Sequence, residues 1–301
     1  MELADLKGQK IMLAASGGLD SCTITHWLVE QGVEVVAYTA DLGQPDEKNI
    51  EDVRDRMLAS GASKMILEDL IDPICRVGLQ LVQSQARYEG GYWNTTGIAR
   101  HVTVAGMLPH MQERGIHIMG HGATGRGNDQ VRFQLAAQML SPQIEVYAPW
   151  RDPAFLASFG GRKEMIDYCQ GHGLPITGTH DKPYSTDANI LGLTHEAGQL
   201  EDLTTSAALI EPGMGTFPQS APDTAEVFTV RFEKGDPVSI NGEAISPRQA
   251  IEQSNTIGGR HGIGIGLHAV ENRFVGIKSR GVYEAPALEL LGQCYEYLLQ
   301  L

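Results

Sequence analysis

The sequence predicts an α/β fold, with an N-terminal domain built on a parallel β-sheet and a smaller α+β domain after it. Three observations predict it. Short β-rich runs alternate with helical patterns through the first half of the chain, and a Ser/Gly turn joins the first such run to the first helical pattern. From about Thr177 this pattern gives way to loop-rich sequence and a hairpin. A chain of 301 residues with 42% hydrophobic content can bury a core of that size, and the domains are drawn as residues 1–176 and 177–301.

Taken in order, the apolar run Lys10-Ile-Met-Leu-Ala-Ala15 reads as a strand and Leu19 to Gln31 as a helix. Glu34 to Ala40 is a second strand, a helix follows from about Asp46 to Ser60, and Lys64 to Leu67 is a third strand. Strands and helices in that alternation place ligands at the carboxyl ends of the strands. The Ser16 loop, Ala40-Asp41 and the glycine-rich segment after His117-Ile-Met-Gly120 all fall at such ends, and a helix starts near Asn128. Later, Val227 to Phe232 and Val238 to Ile240 flank Lys234-Gly-Asp-Pro237 as a hairpin, and helices from about Pro247 to Thr256 and Ala287 to Leu301 complete the second domain.

A formal net charge of −14 weighs against a nucleic-acid partner, which needs a basic face to neutralise phosphates. No run of about 18 to 20 apolar residues is present, as a membrane span requires, and Met1-Glu-Leu-Ala-Asp5 lacks the basic start of a secretory signal, so no membrane partner and a cytoplasmic location are expected. The four cysteines, Cys22, Cys75, Cys169 and Cys294, are scattered without a Cys-x-x-Cys pair. They read as reduced core residues and not as a zinc site or disulfide framework.

The chemistry is carried first by Ala14-Ala-Ser-Gly-Gly-Leu-Asp-Ser-Cys22. Glycines between a strand and a helix remove Cβ bulk, so that backbone N–H groups and the positive helix end can face a phosphate. The spacing is neither the Walker A nor the Rossmann one. Gly120-His-Gly-Ala-Thr-Gly-Arg-Gly-Asn-Asp129 gathers amides, a hydroxyl, an amide side chain and a carboxylate that could converge on one small polar ligand. Tyr92-Trp-Asn-Thr-Thr96, Pro183-Tyr-Ser-Thr-Asp187 with Thr194-His-Glu196, and Glu271-Asn-Arg273 with Lys278-Ser-Arg-Gly-Val-Tyr-Glu284 add three more polar clusters. Each is also compatible with ordinary turns and caps, Arg132 with a solvated helix position, and His121 and His195 with packing.

Ser16-Gly-Gly-Leu-Asp-Ser21 resembles the Ser-Gly-Gly-x-Asp-Ser/Thr signature of the ATP pyrophosphatases. That group has an adenine nucleotide alpha hydrolase-like domain, cuts ATP between its α and β phosphates and adenylates a substrate. The order and wording of the five segments, with Gly-Gly-Arg-His-Gly at 258–262, resemble the argininosuccinate synthase family in its longer bacterial form, from about residue 9 to about residue 290. The resemblance implies an N-terminal nucleotide-binding domain, a C-terminal synthetase domain and an active site between them. It also implies a ligase of arginine biosynthesis that joins citrulline to aspartate through citrullyl-AMP, using ATP and Mg²⁺. Carried onto matching positions, Ala14, Ser16, Gly17, Gly18, Asp20, Ser21, Ala40, Gly122, Asp129 and Asp187 fall to the nucleotide, and Thr124, Asn128 and Asp129 to aspartate. Citrulline falls to Tyr92, Thr96, Asn128, Arg132, Ser185, Thr194, Glu196, Glu271 and Tyr283, with Asp20, Asp129 and Arg132 nearest the chemistry. Carboxylates such as Glu196 and Glu271 suit an ammonium group, and hydroxyls and Arg132 suit a carboxylate.

Some positions depart from the family's wording. Ser21-Cys22 stands for Thr-Ser, Asp41 for Asn and Gly97 for proline beside the citrulline turn. Leu267 or His268 occupies the place of an aspartate. The sequence ends at Leu301 where family members continue into an arm that helps build a tetramer, so a homo-oligomer is expected with the tetramer in doubt. Two other readings stay open: the same adenylating chemistry on another ureido, guanidino or amino acceptor, and a non-catalytic nucleotide-binding protein.

Overall fold

The structure is a computed structural model that describes residues 1–45, 49–89, 91–125, 127–176, 183–272, 276 and 278–301, with backbone only at 271, 272 and 278. The first elements are α1 (Leu3–Leu6), β1 (Lys10–Ala14), α2 (Leu19–Glu30), β2 (Glu34–Asp41), α3 (Glu51–Ala59), β3 (Lys64–Asp69), α4 (Ile71–Ser84) and α5 (Thr95–Glu113). Then come β4 (Ile118–His121), α6 (Asn128–Leu140), β5 (Glu145–Tyr147), α7 (Pro153–Ser158), α8 (Arg162–Gly171), β6 (Ser185–Asn189), β7 (Gly192–Glu196), β8 (Val230–Glu233), β9 (Asp236–Ile240) and β10 (Glu243–Ala244). The last are α9 (Pro247–Arg260), β11 (Ile265–Asn272), β12 (Lys278–Glu284) and α10 (Pro286–Leu298). Contacts divide the chain into unit 1, made of Met1–Asp41, Glu47–Leu70 and Arg100–Asp181, and unit 2, made of Leu42–Asp46, Ile71–Ala99 and Lys182–Leu301.

Unit 1 carries the parallel sheet in the order β3-β2-β1-β4-β5. β1 shows why a continuous apolar run marks such a strand: Ile11, Met12 and Leu13 are all buried, because helices cover both faces. One core joins Leu13, Ile24, Leu28, Val35, Met57 and Phe155, with Trp27 edge-on to Phe155 at 5.2 Å between ring centroids. Burying each such side chain contributes about 1.5–3 kcal/mol. Unit 2 holds two antiparallel sheets, β10-β9-β8 and β11-β12-β7-β6.

Element ends differ from the sequence expectation where tertiary contacts decide. α3 starts at Glu51, not near Asp46, with Ile50 as an N-cap that makes no side-chain hydrogen bond and Asn49 Oδ1 accepting the Glu51 N–H at 3.3 Å; residues 46–48 lie outside the described ones. β3 runs on to Asp69, which pairs with Asp41 of β2. α9 runs past Thr256 to Arg260 through Gly258-Gly259. Those glycines are helical because other backbone lies against them: a Cβ at Gly258 would meet the Pro286 oxygen at 2.9 Å, and the Gly259 carbonyl accepts the Thr216 N–H at 3.0 Å. The hairpin turn is Lys234-Gly235 alone, since Glu233 already pairs with Asp236. Gly97, expected beside a turn, is the third residue of α5.

All four cysteines are free, with Cys22, Cys75 and Cys169 buried; burial pushes the Cys22 and Cys169 thiols up. Among the described residues no helix is long and apolar enough to cross a membrane.

Asp152 ties three parts of unit 1 together. Its Oδ1 accepts the Ala154 N–H at 2.8 Å as the N-cap of α7, and its Oδ2 accepts the Tyr147 hydroxyl at 2.9 Å and the Leu3 N–H at 2.6 Å. The side chain is 2% exposed. Asp152→Ala should lower unfolding stability by about 2–4 kcal/mol, because the cap is lost and a buried hydroxyl is left without its acceptor. Asp152→Ser should restore the capping part only. Denaturant titration of both variants measures this.

Candidate active site

On unit 1 the sheet changes direction around β1. The chain crosses from β1 to β2 on one side and reaches β4 on the other, so the loops after β1 and β4 flank a topological switch point at the carboxyl edge. Both loops lead into helices capped by glycine, Gly18 before α2 and Gly127 before α6, and neither cap supplies a side-chain hydrogen bond. The first-turn N–H groups of a helix have no carbonyl of their own helix to bond, and they carry the positive end of its dipole. Two such ends at one sheet edge suit a polyanion.

The first loop is held in shape from within and from α3. The Ser16 N–H donates to Ser21 Oγ at 3.0 Å, and the two hydroxyls are 3.4 Å apart. Gly17 has φ +69°, and a Cβ there would meet Val53 Cγ1 at 2.8 Å. Arg56 Nε donates to the Gly17 carbonyl at 2.9 Å, bringing a guanidinium to the loop. Ala14 pairs with Tyr38 on one side and His121 on the other, and Ala40 lies buried on β2. Asp20 stands in the first turn of α2, where Trp150 Nε1 donates to its Oδ1 at 3.0 Å. Burial raises the Asp20 carboxyl above its ordinary value, against the Trp150 hydrogen bond and the charge of Arg162.

The β4–α6 loop meets the first loop at Gly122, where a Cβ would lie 3.7 Å from that of Asp20. Gln130 Nε2 donates to the Ala123 carbonyl at 2.6 Å and fixes the loop. Thr124 is exposed, and Asn128 is the first residue of α6. Asp129 receives Arg100 at 2.9 Å on Oδ2 and Arg132 at 2.8 Å on Oδ1. Burial works to raise this carboxyl, yet the two guanidinium groups outweigh it and hold it below the usual carboxylate range. His121 is buried and stacked on Phe133 at 4.7 Å, and burial pushes its imidazole down to about 4, so it is neutral near pH 7.

On unit 2 the strand registers put the expected residues in rows. Asp187, Thr194, Tyr283 and Leu267 are paired across β6, β7, β12 and β11, and Ser185, Glu196, Gly281 and Ala269 form the next row. Alternation along each strand therefore puts Ser185, Asp187, Thr194, Glu196 and Tyr283 on one face of this sheet. Tyr92 joins that face: its ring stacks on Tyr283 at 4.0 Å, and its hydroxyl accepts the Thr96 N–H at 3.1 Å. Thr96 Oγ1 lies 3.3 Å from Thr194 Oγ1. Glu271 pairs with Ser279, but its side chain lies outside the described residues, as does Arg273. The opposite face buries His195 on Glu284 at 2.7 Å, and Glu284 also accepts the Gly213 and Met214 N–H groups, an anchor for the 213–214 loop.

The positions expected for the nucleotide and aspartate thus lie on unit 1, except Asp187, and those expected for citrulline lie on unit 2, except Asn128 and Arg132. Sequence reasoning missed Arg56, Arg100 and Trp150. They act from 39, 29 and 130 residues away from Gly17, Asp129 and Asp20 respectively, so no local spacing marks them. Because the Asp129 carboxyl is held below its unfolded value of about 3.9, its contribution to stability is full above that pH and fades as the pH falls through the folded value. Asp129→Asn should therefore cost roughly 2 kcal/mol at pH 6–8, and the gap should narrow below about pH 4. Denaturant titration of both proteins across pH measures it.

Two family profiles match the chain: the arginosuccinate synthase N-terminal HUP domain over residues 10–175 and the arginosuccinate synthase C-terminal domain over 184–301. The chain is 44% identical over 292 residues to the argininosuccinate synthase of Rhodopirellula baltica, covering 96% of this chain and 72% of that one. It is 42% identical over 292 residues to that of Desulfitobacterium hafniense strain DCB-2, covering 96% and 71%. It is 45% identical over 285 residues to that of Nitratidesulfovibrio vulgaris, covering 92% and 68%. With both profiles matched in order and identity above two fifths along nearly all of its length, the chain belongs to the argininosuccinate synthase family of carbon–nitrogen ligases.

Proposed function

We propose that this chain condenses citrulline with aspartate at the expense of ATP, releasing AMP and pyrophosphate. Family membership implies the use of ATP. The observation that carries the reading is the hydroxyl-rich face of unit 2, where Tyr92, Thr96, Thr194 and Tyr283 meet at the positions that fall to citrulline. Such a face can hold the polar ends of an amino acid while its ureido group reacts.

In the proposed reaction the ureido oxygen of citrulline attacks the α-phosphorus of ATP and pyrophosphate leaves. The amine of aspartate then attacks the ureido carbon, AMP leaves with the former ureido oxygen, and the amine loses a proton. No protein nucleophile takes part. The loop from Ser16 to Ser21 and the start of α2 hold the phosphates, and Arg56 adds positive charge beside Gly17. Thr124 and Asn128 bind aspartate. Asp129 fixes Arg100 and Arg132, which face negative groups of the reactants. The half-buried Asp20 carboxyl, raised by desolvation, fits a cation beside it, so Asp20 would hold a Mg²⁺ ion in this reading. Bound there, Mg²⁺ would neutralise charge on the departing pyrophosphate.

An acceptor other than citrulline is the second reading. One observation favours it: Leu267, at or beside the place of the family's aspartate, packs on the Tyr92 and Tyr283 cluster.

Pyrophosphate release from ATP and Mg²⁺ tests both. Release that requires citrulline, with argininosuccinate formed once aspartate is added, supports the first. Release only with another ureido, guanidino or amino compound supports the second, and ATP binding with no release on any acceptor overturns both. Thr194→Val should raise the KM for citrulline about tenfold or more and leave the KM for ATP within about twofold, since the hydroxyl is lost from the citrulline side alone. Steady-state kinetics reads the split.

A further inference from the structure

Unit 1 carries a second cluster of reactive side chains, on α2 and α8, that the proposed condensation does not use. His26 and Glu30 are one turn apart on α2, and His172 is the C-cap of α8. His172 Nδ1 lies 2.9 Å from the Tyr168 carbonyl. A carbonyl only accepts, so Nδ1 carries the proton and Nε2 presents its lone pair, 3.6 Å from Glu30 Oε1. On the other side of the same carboxylate, His26 Nδ1 is 3.7 Å from Glu30 Oε2. The two imidazoles lie with ring centroids 4.7 Å apart. Tyr168 completes the group: its hydroxyl donates to Glu30 and therefore accepts from His26 Nδ1 at 2.7 Å, a contact that a ligating His26 gives up by moving its proton to Nε2.

One ligand atom from each of His26, Glu30 and His172 lies within 4.8 Å of the others. Zinc bonds of about 2.0–2.1 Å place tetrahedral ligand atoms about 3.4 Å apart, and each imidazole stands near that distance from one carboxylate oxygen, His172 from Oε1 and His26 from Oε2. Rotation of these side chains, which reach the surface, brings both imidazoles to one oxygen. The backbone carbonyl on His172 Nδ1 is the outer partner that a ligating imidazole uses to fix its tautomer. Two imidazoles and one carboxylate suit zinc, nickel or copper and not magnesium or calcium, which take oxygen ligands.

We infer that His26, Glu30 and His172 form a binding site for a divalent transition-metal ion of the zinc type, which fastens α8 to α2. The fourth position falls to water. The site is separate from any Mg²⁺ carried by the nucleotide, and it would stiffen the helix whose first turn holds Asp20 and Ser21.

Calorimetric titration of the full chain, stripped with chelator, tests it with Zn²⁺ and Mg²⁺ in the absence of nucleotide. The expected result is one Zn²⁺ per chain with a Kd tighter than about 100 µM, and no Mg²⁺ binding in that range. His172→Ala and Glu30→Gln should each weaken Zn²⁺ at least about tenfold with an unchanged circular dichroism spectrum, and Zn²⁺ should raise the Tm of the parent chain but not of His172→Ala. Co²⁺ should give a visible absorption band that is lost in the same variants. A Zn²⁺ Kd weaker than about 100 µM, or an affinity that both variants keep, overturns the assignment.

Discussion

A parallel sheet delivers the carboxyl end of every strand to one edge, and in unit 1 the chain turns away from β1 in both directions along that sheet. The two loops that flank this reversal enter α2 and α6 through Gly18 and Gly127, neither of which can cap a helix with a side chain. Helix starts that no N-cap side chain covers follow from those two glycines. The rest of the proposed nucleotide site on unit 1 depends on them. Gly17 must turn where Val53 leaves no room for a Cβ, Arg56 must hold the Gly17 carbonyl, and Gly122 must pass close to Asp20.

Charge is settled differently in the two units. On unit 1 a carboxylate between two guanidinium groups stays ionised, while a neighbouring histidine is held neutral by burial. That combination keeps Arg100 and Arg132 pointed and leaves net positive charge where anionic reactants are expected. On unit 2 the sheet separates its tasks by face. One face carries the hydroxyls, and the other buries His195 on Glu284, which also takes two backbone N–H groups.

Much of this was legible in the sequence, for physical reasons that can be named. Ile11 to Leu13 is apolar because both faces of β1 are covered, so the strand and the turn after it could be read directly. Ser185 with Asp187, and Thr194 with Glu196, stand two apart as residues on one face of a strand must, so their grouping had a signal of period two. The helices between β3 and β4 were not marked by the alternation of short runs. In α4 the signal was present, with Ile71, Ile74, Cys75, Gly78, Leu79 and Val82 recurring at helical spacing, whereas α5 carries Gly97 and Pro109 within it. The extension of α9 through two glycines could not be read, because its cause is the approach of residues 214–216 and Pro286. Arg56, Arg100 and Trp150 were hidden for the same reason: each reaches its partner through the fold and not along the chain.

The central claim is that the chain activates the ureido oxygen of its acceptor by bonding it to the α-phosphorus of ATP. Citrulline labelled with ¹⁸O in the ureido group tests this most directly, by mass analysis of the AMP formed in the presence of aspartate. The account predicts one ¹⁸O atom in each AMP, because the oxygen that attacks phosphorus leaves with it. Unlabelled AMP formed together with argininosuccinate would contradict it.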